Sequence, residues 1–342
     1  MTPVWDDLTA RSRGLGTHLL SRGQLESLAR LRDPTALAAA LRRDGVLTTA
    51  ETEVPSYQAL ELAVRRWAAS LLGVMARWAG SRAAALPLVF DDEDRRSVRA
   101  LTRGAVQHAP ADERLAGLVP TPALPERALR ALAAAPSIAA VAGLLSAWRH
   151  PLAPSLAPFT RTVDVDLFAV EVALDRAAAA RATRAARRSH DRALRQLVAD
   201  QIDLRNVVTA LILAGQDGDT APDDVFVPGG ARLGADVFCR AAATRDAAVA
   251  ATLLAPAFAA TPWALAIRSG GGDVATTERA LRRRQLAALA AAVRRQPLGP
   301  LPVVWFALRL RTQVGDLHRI VWSLALGVPP ATVTDMLATA TP

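Results

Sequence analysis

A threefold internal repeat constrains this sequence more than any other feature. The pattern Glu-x-Ala-aliphatic-x-Arg occurs at residues 61–66, 171–176 and 278–283. A second pattern has an acid, then Val at +5, Ala or Ser at +7 and Leu at +8; it begins at Glu93, Asp203 and Asp316. Both patterns recur about every 110 residues in the same order, which indicates one structural unit present three times.

The residues between these patterns favour helices. Ala, Leu and Arg dominate, and aromatic residues make up only 4% of the chain. Asp33 followed by Pro34 is typical of a helix start, and helices are predicted from about residue 164 to 189 and from 190 to 215. Each copy is interpreted as a pair of short helices and a pair of long ones.

The predicted fold is therefore all-α. It consists of three similar helical domains, at residues 1–115, 116–222 and 223–342, each containing a V-shaped helix pair. We expect three such units to form a funnel with approximate threefold symmetry. The repeated acids Glu61, Glu171 and Glu278 mark the first pattern. Glu93, Asp203 and Asp316, which open the second, are expected to pair with a nearby arginine or to cap a turn between helices.

Known catalytic and metal-binding motifs are not found in the sequence. The five histidines have no metal-ligand spacing, and there is no lysine for a phosphate-binding loop. Cys239 is the only cysteine, so it cannot form an intrachain disulfide. We therefore predict no catalytic residue, metal ligand or cofactor, and a protein that is not an enzyme.

The charge allows two interpretations. The net charge is +9, and every basic residue is an arginine. Such a charge suits nucleic acid or an anionic membrane surface, but it also suits solvated helix faces in a chain that uses arginine for all its positive charge. The longest uncharged run, residues 247–267, is rich in Ala and interrupted by Pro256 and Pro262. It predicts a pair of short helices rather than a membrane span.

Several segments together resemble one known family. They are residues 10–15 with Leu19-Leu20-Ser21, residues 174–176 (Leu-Asp-Arg), residues 203–207 (Asp-Leu-Arg-Asn-Val), residues 226–230 (Phe-Val-Pro-Gly-Gly) and residues 302–327. In this order they are similar to the C subunit of V-type (A-type) ATPases, the prokaryotic relative of the eukaryotic d subunit. The resemblance covers nearly the whole chain, and the order of the segments carries it.

The resemblance implies a non-catalytic subunit of the central rotor. Such a subunit is a socket between the shaft, made by the D and F subunits, and the membrane proteolipid ring. It transmits torque that couples proton or sodium transport to ATP hydrolysis or synthesis. The resemblance further implies one copy in a hetero-oligomeric complex, peripheral on the cytoplasmic face of the membrane, with no nucleic-acid partner.

Two arginine groups are candidates for docking on the ring or the membrane surface. One is the face of Arg181, Arg184, Arg187 and Arg188, and the other is the run Arg282, Arg283 and Arg284. An arginine near anionic headgroups would contribute about 1 kcal/mol to binding. Plain solvated helix faces remain the alternative for both groups. The alternative for the whole protein is a basic α-helical repeat scaffold or a nucleic-acid-binding module.

Overall fold

The computed structural model describes residues 5–48, 56–86, 88–162, 164–216 and 220–339, which contain seventeen α-helices and no strand. The N-terminal part holds α1 (Asp6–Gly16), α2 (Arg22–Ala29), α3 (Pro34–Arg43), α4 (Tyr57–Ala79) and α5 (Phe90–Val106). The middle part holds α6 (Ala111–Leu115), α7 (Glu126–Ala133), α8 (Ile138–Ala147), α9 (Ala153–Leu156), α10 (Leu167–Arg188) and α11 (Arg192–Ala214). The last part holds α12 (Ala235–Ala242), α13 (Ala247–Leu254), α14 (Trp263–Ser269), α15 (Val274–Arg295), α16 (Leu301–Ala325) and α17 (Pro330–Met336). The all-α prediction is confirmed.

Local capping explains where many of these helices begin. The Asp33 carboxylate accepts a hydrogen bond from the backbone N–H of Ala36, and Pro34 occupies the first position of α3, as predicted. Asp166, Asp191 and Asp273 cap α10, α11 and α15 in the same way. Aspartates thus fix the start of three of the long helices.

One hydrophobic core surrounds the short helices α7 to α9. It includes Leu129, Val141 and Leu156 from these helices, all fully buried. Val98 and Leu101 of α5 close one side of this core, and Val170 and Leu174 of α10 close the other. The second long helix of the first copy therefore shares this core with the first long helix of the next copy.

A second core repeats this arrangement around α12 to α14. Phe238 and Phe258 of this region are fully buried, and Val207 and Leu211 of α11 pack on them. Leu281 of α15 completes the group. The short helices again share a core with the second long helix of one copy and the first long helix of the next.

The third core joins the two ends of the chain. Helix α16 packs against both α1 and α4, and its Leu317 and Val321 lie with Leu25 and Leu60 from the N-terminal helices. The short helices α1 to α3 thus share a core with α16 and α4, as α7 to α9 share one with α5 and α10. Here the connection is made by noncovalent contacts, because α16 and α1 lie near opposite ends of the sequence; the Gln313 side chain, for example, forms hydrogen bonds with both the N–H and the carbonyl of Leu20.

The ends of the long helix pairs meet in this third core. Leu88 between α4 and α5, Ala186 and Leu194 on either side of the α10–α11 turn, and Val293 and Leu301 on either side of the α15–α16 turn all belong to it. Toward their opposite ends, α5, α10 and α11 pack against the short-helix groups. The domain boundaries after residues 115 and 222 remain a prediction, since the first two cores each draw helices from both sides of one boundary.

The uncharged run at residues 247–267 forms α13, a 3₁₀ turn at Ala255–Phe258 and most of α14. Across the described ranges, no helix combines the length and the apolar character that crossing a membrane requires.

Candidate functional site: an arginine-lined cavity between the long helices

A cavity of about 410 Å³ lies between five long helices, α5, α10, α11, α15 and α16. Its walls carry Arg95, Arg96 and Arg99 from α5 and one arginine each from α11, α15 and α16, namely Arg205, Arg282 and Arg311. Phe168, Val208 and Ile212 give one wall an apolar character. All three repeats therefore contribute to one enclosure.

Asp92 organises the charges of this cavity. Its carboxylate pairs with Arg95 at 2.9 Å and Arg96 at 3.3 Å on its own helix. It also pairs with Arg205 of α11 at 3.2 Å and with Arg311 of α16 at 2.5 Å. One carboxylate near the start of α5 therefore ties together a helix from each copy.

The local sequence of α5 explains the position of the Asp92 carboxylate. Asp91, Asp92 and Glu93 occupy the first turn of α5, where negative charge is stabilised by the helix dipole. Arg95 and Arg96 follow at three and four residues from Asp92, which puts them on the same helix face. The acids of the first turn thus meet the arginines of the second.

The protonation of Asp92 reflects this environment. Burial alone would raise the pKa of its carboxyl, but the four arginines more than compensate and hold the pKa well below its ordinary value. Arg95 shares its guanidinium between Asp92 and Asp175, the latter at 2.6 Å, and these acids raise the Arg95 pKa against the effect of burial. Both groups are charged at neutral pH.

A second cavity of about 250 Å³ lies next to the first, between α4, α5 and α16. Arg96, Arg282 and Arg311 line both cavities. His318 also lines this second cavity, and burial lowers the pKa of its imidazole. The three shared arginines form the partition between the cavities.

The acids that open the second repeat pattern contact the segments that follow the long pairs. Asp203 is fully buried and accepts hydrogen bonds from the backbone N–H groups of Ala231, Arg232 and Leu233. Asp316 is also fully buried and accepts from Ala338 at 2.8 Å. Both carboxylates therefore hold a chain segment against α11 or α16.

The first copy uses a different acid for this contact. Glu93 pairs with Arg311 at 3.2 Å, and it is the neighbouring Asp94 that faces the following loop. Asp94 accepts a hydrogen bond of 2.5 Å from the Thr121 hydroxyl and lies 3.3 Å from Nε2 of His150. The repeat pattern in the sequence pairs Asp203 and Asp316 with Glu93 rather than with Asp94. Asp94 is nevertheless buried as Asp203 and Asp316 are.

Arginines on the first long helices hold the carbonyl groups of the same segments. Arg176 of α10 donates to the carbonyl oxygens of Asp223 and Phe226, and Arg283 of α15 donates to those of Asp335 and Leu337. In the first copy Arg65 of α4 donates to the Leu115 carbonyl at 2.7 Å. Each repeat thus combines an arginine and an aspartate in what we call a loop clamp.

The glutamates of the first pattern have three different environments. Glu61 is buried and accepts a hydrogen bond from the indole N–H of Trp322. Glu171 pairs with Arg99 at 2.7 Å and also contacts Arg103. Glu278 is half exposed and pairs with Arg282 at 3.2 Å. Glu171 and Glu278 line the large cavity, whereas Glu61 lies between α4 and α16.

The two predicted arginine groups lie in different places. Arg184, Arg187 and Arg188 are on α10 near the α10–α11 turn, and Arg181 of the same helix pairs with Asp91 at 2.6 Å. Arg282 faces the cavities, Arg283 belongs to the third loop clamp, and Arg284 is half-buried. The run at residues 282–284 is therefore divided among three environments.

Comparison with protein families agrees with this architecture. The family model described as ATP synthase (C/AC39) subunit matches residues 8–336, which is nearly the whole chain. The chain belongs to this family. Its members are accessory stalk subunits of V/A-type ATPases and are not catalytic. A comparison with individual curated proteins gives no match.

Family membership confirms the resemblance to the C and d subunits that the sequence suggested. The chain is thus one component of a V/A-type ATPase, which is a hetero-oligomeric complex.

Proposed function

We propose that this protein is the rotor socket of its ATPase, a non-catalytic link between the central shaft and the membrane proteolipid ring. In this proposal the three repeats form a funnel of approximate threefold symmetry. The shaft, made by the D and F subunits, enters the funnel, and the ring lies against its closed end on the cytoplasmic side. Torque then passes through the socket and couples ATP hydrolysis or synthesis to proton or sodium transport.

The cavity between the long helices is the observation that carries this proposal. Helices from all three repeats surround it, and the turns of the long pairs pack together in one core at one end. A cavity lined by helices of all three repeats suits the end of an axle. The ion pairs of Asp92 join helices of all three repeats, which suits a body that must transmit torque without deforming.

The arginines near the α10–α11 turn suit the contact with the ring or the lipid headgroups. Arg184, Arg187 and Arg188 lie close to Ala186, which is part of the core where the turns meet. We therefore place the ring at this end of the molecule. Arg282 and Arg283 are engaged within the protein, so they are weaker candidates for this contact.

The test is reconstitution of the full chain with separately purified shaft subunits and with the proteolipid ring in detergent. We expect the wild-type protein to bind both and to bridge them in one complex. Reversal of Arg184, Arg187 and Arg188 to Glu should weaken binding to the ring but leave binding to the shaft unchanged. Reversal of Arg127 and Arg130 on α7 is the control. A wild-type chain that binds neither partner would contradict the socket role.

A further inference from the structure

The partition between the two cavities carries more positive charge than its carboxylates neutralise. Within the described residues, the large cavity is lined by four carboxylates, Asp92, Glu171, Asp175 and Glu278, and by six arginines, Arg95, Arg96, Arg99, Arg205, Arg282 and Arg311. Two arginines are thus in excess. Among the three arginines of the partition, Arg311 pairs with Asp92 at 2.5 Å, whereas the ion pairs of Arg96 to Asp92 and of Arg282 to Glu278 are both longer than 3 Å.

Arg96 and Arg282 also lie close to other arginines. Burial and the nearby Arg311 lower the pKa of both guanidinium groups, and Arg96 further lowers that of Arg282. Their side chains nevertheless remain accessible to solvent, with 40% and 32% exposure. These positions are therefore open to an incoming anion, which would relieve the repulsion.

The surroundings indicate that this anion is part of a protein. Ile212 is 37% exposed and lines the same cavity, as do Phe168 and Val208. A small inorganic anion would bind the arginines but would leave this apolar wall exposed to water. A protein segment with both apolar and acidic side chains would cover both surfaces, and carboxylates match the planar fork of arginine.

We propose that Arg96 and Arg282 form a carboxylate receptor for an acidic segment of the shaft. The segment enters the large cavity, places its apolar side chains against Ile212 and directs at least two carboxylates to the partition. This inference rests on the proposed socket function and adds the chemistry of the partner: the part of the shaft that enters is acidic, and its binding is electrostatic.

The experiment measures the affinity of the full chain for the purified complex of the D and F subunits over a range of salt concentrations. Arg96→Glu and Arg282→Glu should each weaken binding roughly tenfold or more, because each replaces an attraction with a repulsion. Arg127→Glu and Arg268→Glu reverse arginines outside the cavity and should change the affinity by less than about twofold. Wild-type binding should weaken as salt rises, and the Arg282→Glu variant should depend less on salt.

Milder variants separate binding from folding. Arg282→Gln removes the charge at a site whose ion pair is with the half-exposed Glu278, so the fold should be retained. We expect this variant to have an unchanged circular dichroism spectrum and a severalfold weaker affinity for the shaft.

Three results would overturn the inference. One is shaft binding by the wild type that neither charge reversal nor salt weakens, which leaves the socket role intact. Another is saturable binding of inorganic phosphate to the wild type with no competition between phosphate and the shaft. The last is a wild-type chain that does not bind the shaft, which removes the socket proposal as well.

Discussion

Trp322 of α16 donates a hydrogen bond from Nε1 to Oε2 of Glu61 in α4, with a distance of 2.9 Å. The two residues are 261 positions apart in the sequence, yet this bond joins the last long helix to the first. The other two short-helix groups are linked to both neighbouring long helices by the continuous chain. At the interface between α16 and the N-terminal helices, the first and last repeats are joined by noncovalent contacts. These contacts can be tested separately.

Trp322→Phe should lower the free energy of unfolding by about 1–2 kcal/mol, because the buried Glu61 carboxylate loses a donor. Denaturant unfolding of the full chain measures the change. Trp148→Phe is the matched control, since Trp148 is similarly exposed at 41% against 38% for Trp322. We expect the control to change stability by less than about 0.5 kcal/mol. Equal effects of the two substitutions would show that the Glu61 contact contributes little.

The loop clamp of the second repeat requires a glycine. A Cβ atom at Gly230 would lie 1.9 Å from Oδ1 of Asp203, so Gly230→Ala must displace the carboxylate from the three N–H groups that it accepts from. We expect a loss of about 2 kcal/mol from Gly230→Ala and about 3 kcal/mol from Asp203→Ala, measured by denaturant unfolding. The double variant should lose less than the sum, because both substitutions break the same contact.

Gly143→Ala is the control for the glycine substitution. Gly143 lies within α8, and a Cβ atom there would meet nothing within 4 Å. Because alanine is the better helix former, this variant should gain about 0.5–1 kcal/mol. A Gly230→Ala protein as stable as the wild type would contradict the proposed role of the close approach.

The low pKa of Asp92 predicts sensitivity to acid. Burial raises the pKa of this carboxyl, but its four arginines lower the pKa by more than burial raises it. The folded-state pKa therefore lies below the unfolded-state value of about 3.9. The unfolded chain therefore binds this proton more readily. The stabilisation is fully present above about pH 4 and is lost as the pH falls towards the folded-state pKa.

Unfolding measured from about pH 6 down to about pH 3 tests this expectation. Asp92→Asn should lower stability by about 3 kcal/mol at neutral pH, because several arginines lose a buried partner. Below about pH 4 the difference between this variant and the wild type should shrink. Asp236→Asn, at an exposed pair with Arg240, should leave both the stability and its pH dependence nearly unchanged. A difference between Asp92→Asn and the wild type that is constant with pH would argue against a titrating carboxylate.

The sequence was sufficient for the all-α fold and for the long helices α10 and α11, because capping aspartates and apolar spacing are local signals. It predicted a pair of short helices in each copy, whereas the described residues have at least three in each, namely α1 to α3, α6 to α9 and α12 to α14. It did not resolve which of two adjacent acids faces the loop in the first repeat. Glu93 and Asp94 differ by about 100° around α5, and only packing decides that Asp94 meets Thr121. The same limit applies to residues 282–284, whose three arginines have different surroundings although they are consecutive in the sequence.

Local sequence patterns also could not predict which hydrophobic core each residue joins. The repeat suggested units that are continuous in sequence, whereas the cores combine α5 with α10, α11 with α15 and α16 with α4. Packing of this kind depends on contacts between residues far apart in the chain. The cavity arginines illustrate the consequence, since Asp92 meets Arg311 only after α5 and α16 have come together.

The C-terminal segment takes the place that a connecting loop takes in the other repeats, and Arg22 of α2 holds it. The Arg22 guanidinium donates to the carbonyl oxygens of Thr334, Leu337 and Thr339 at 2.8–3.1 Å. Arg22→Met should therefore release this segment from the N-terminal helices. Hydrogen exchange followed by mass spectrometry should show faster exchange at Ala338 and Thr339, whose N–H groups are bonded to Asp316.

Arg30→Met is the control, because Arg30 is an exposed residue at the end of the same helix. This variant should exchange as the wild type does. Since Arg283 holds the Leu337 carbonyl from the other side, Arg22→Met combined with Arg283→Met should accelerate exchange in α17 as well. If the C-terminal amides of the double variant exchange at the wild-type rate, Asp316 alone is enough to hold the segment. The arginines would then add nothing to the closure between the two ends of the chain.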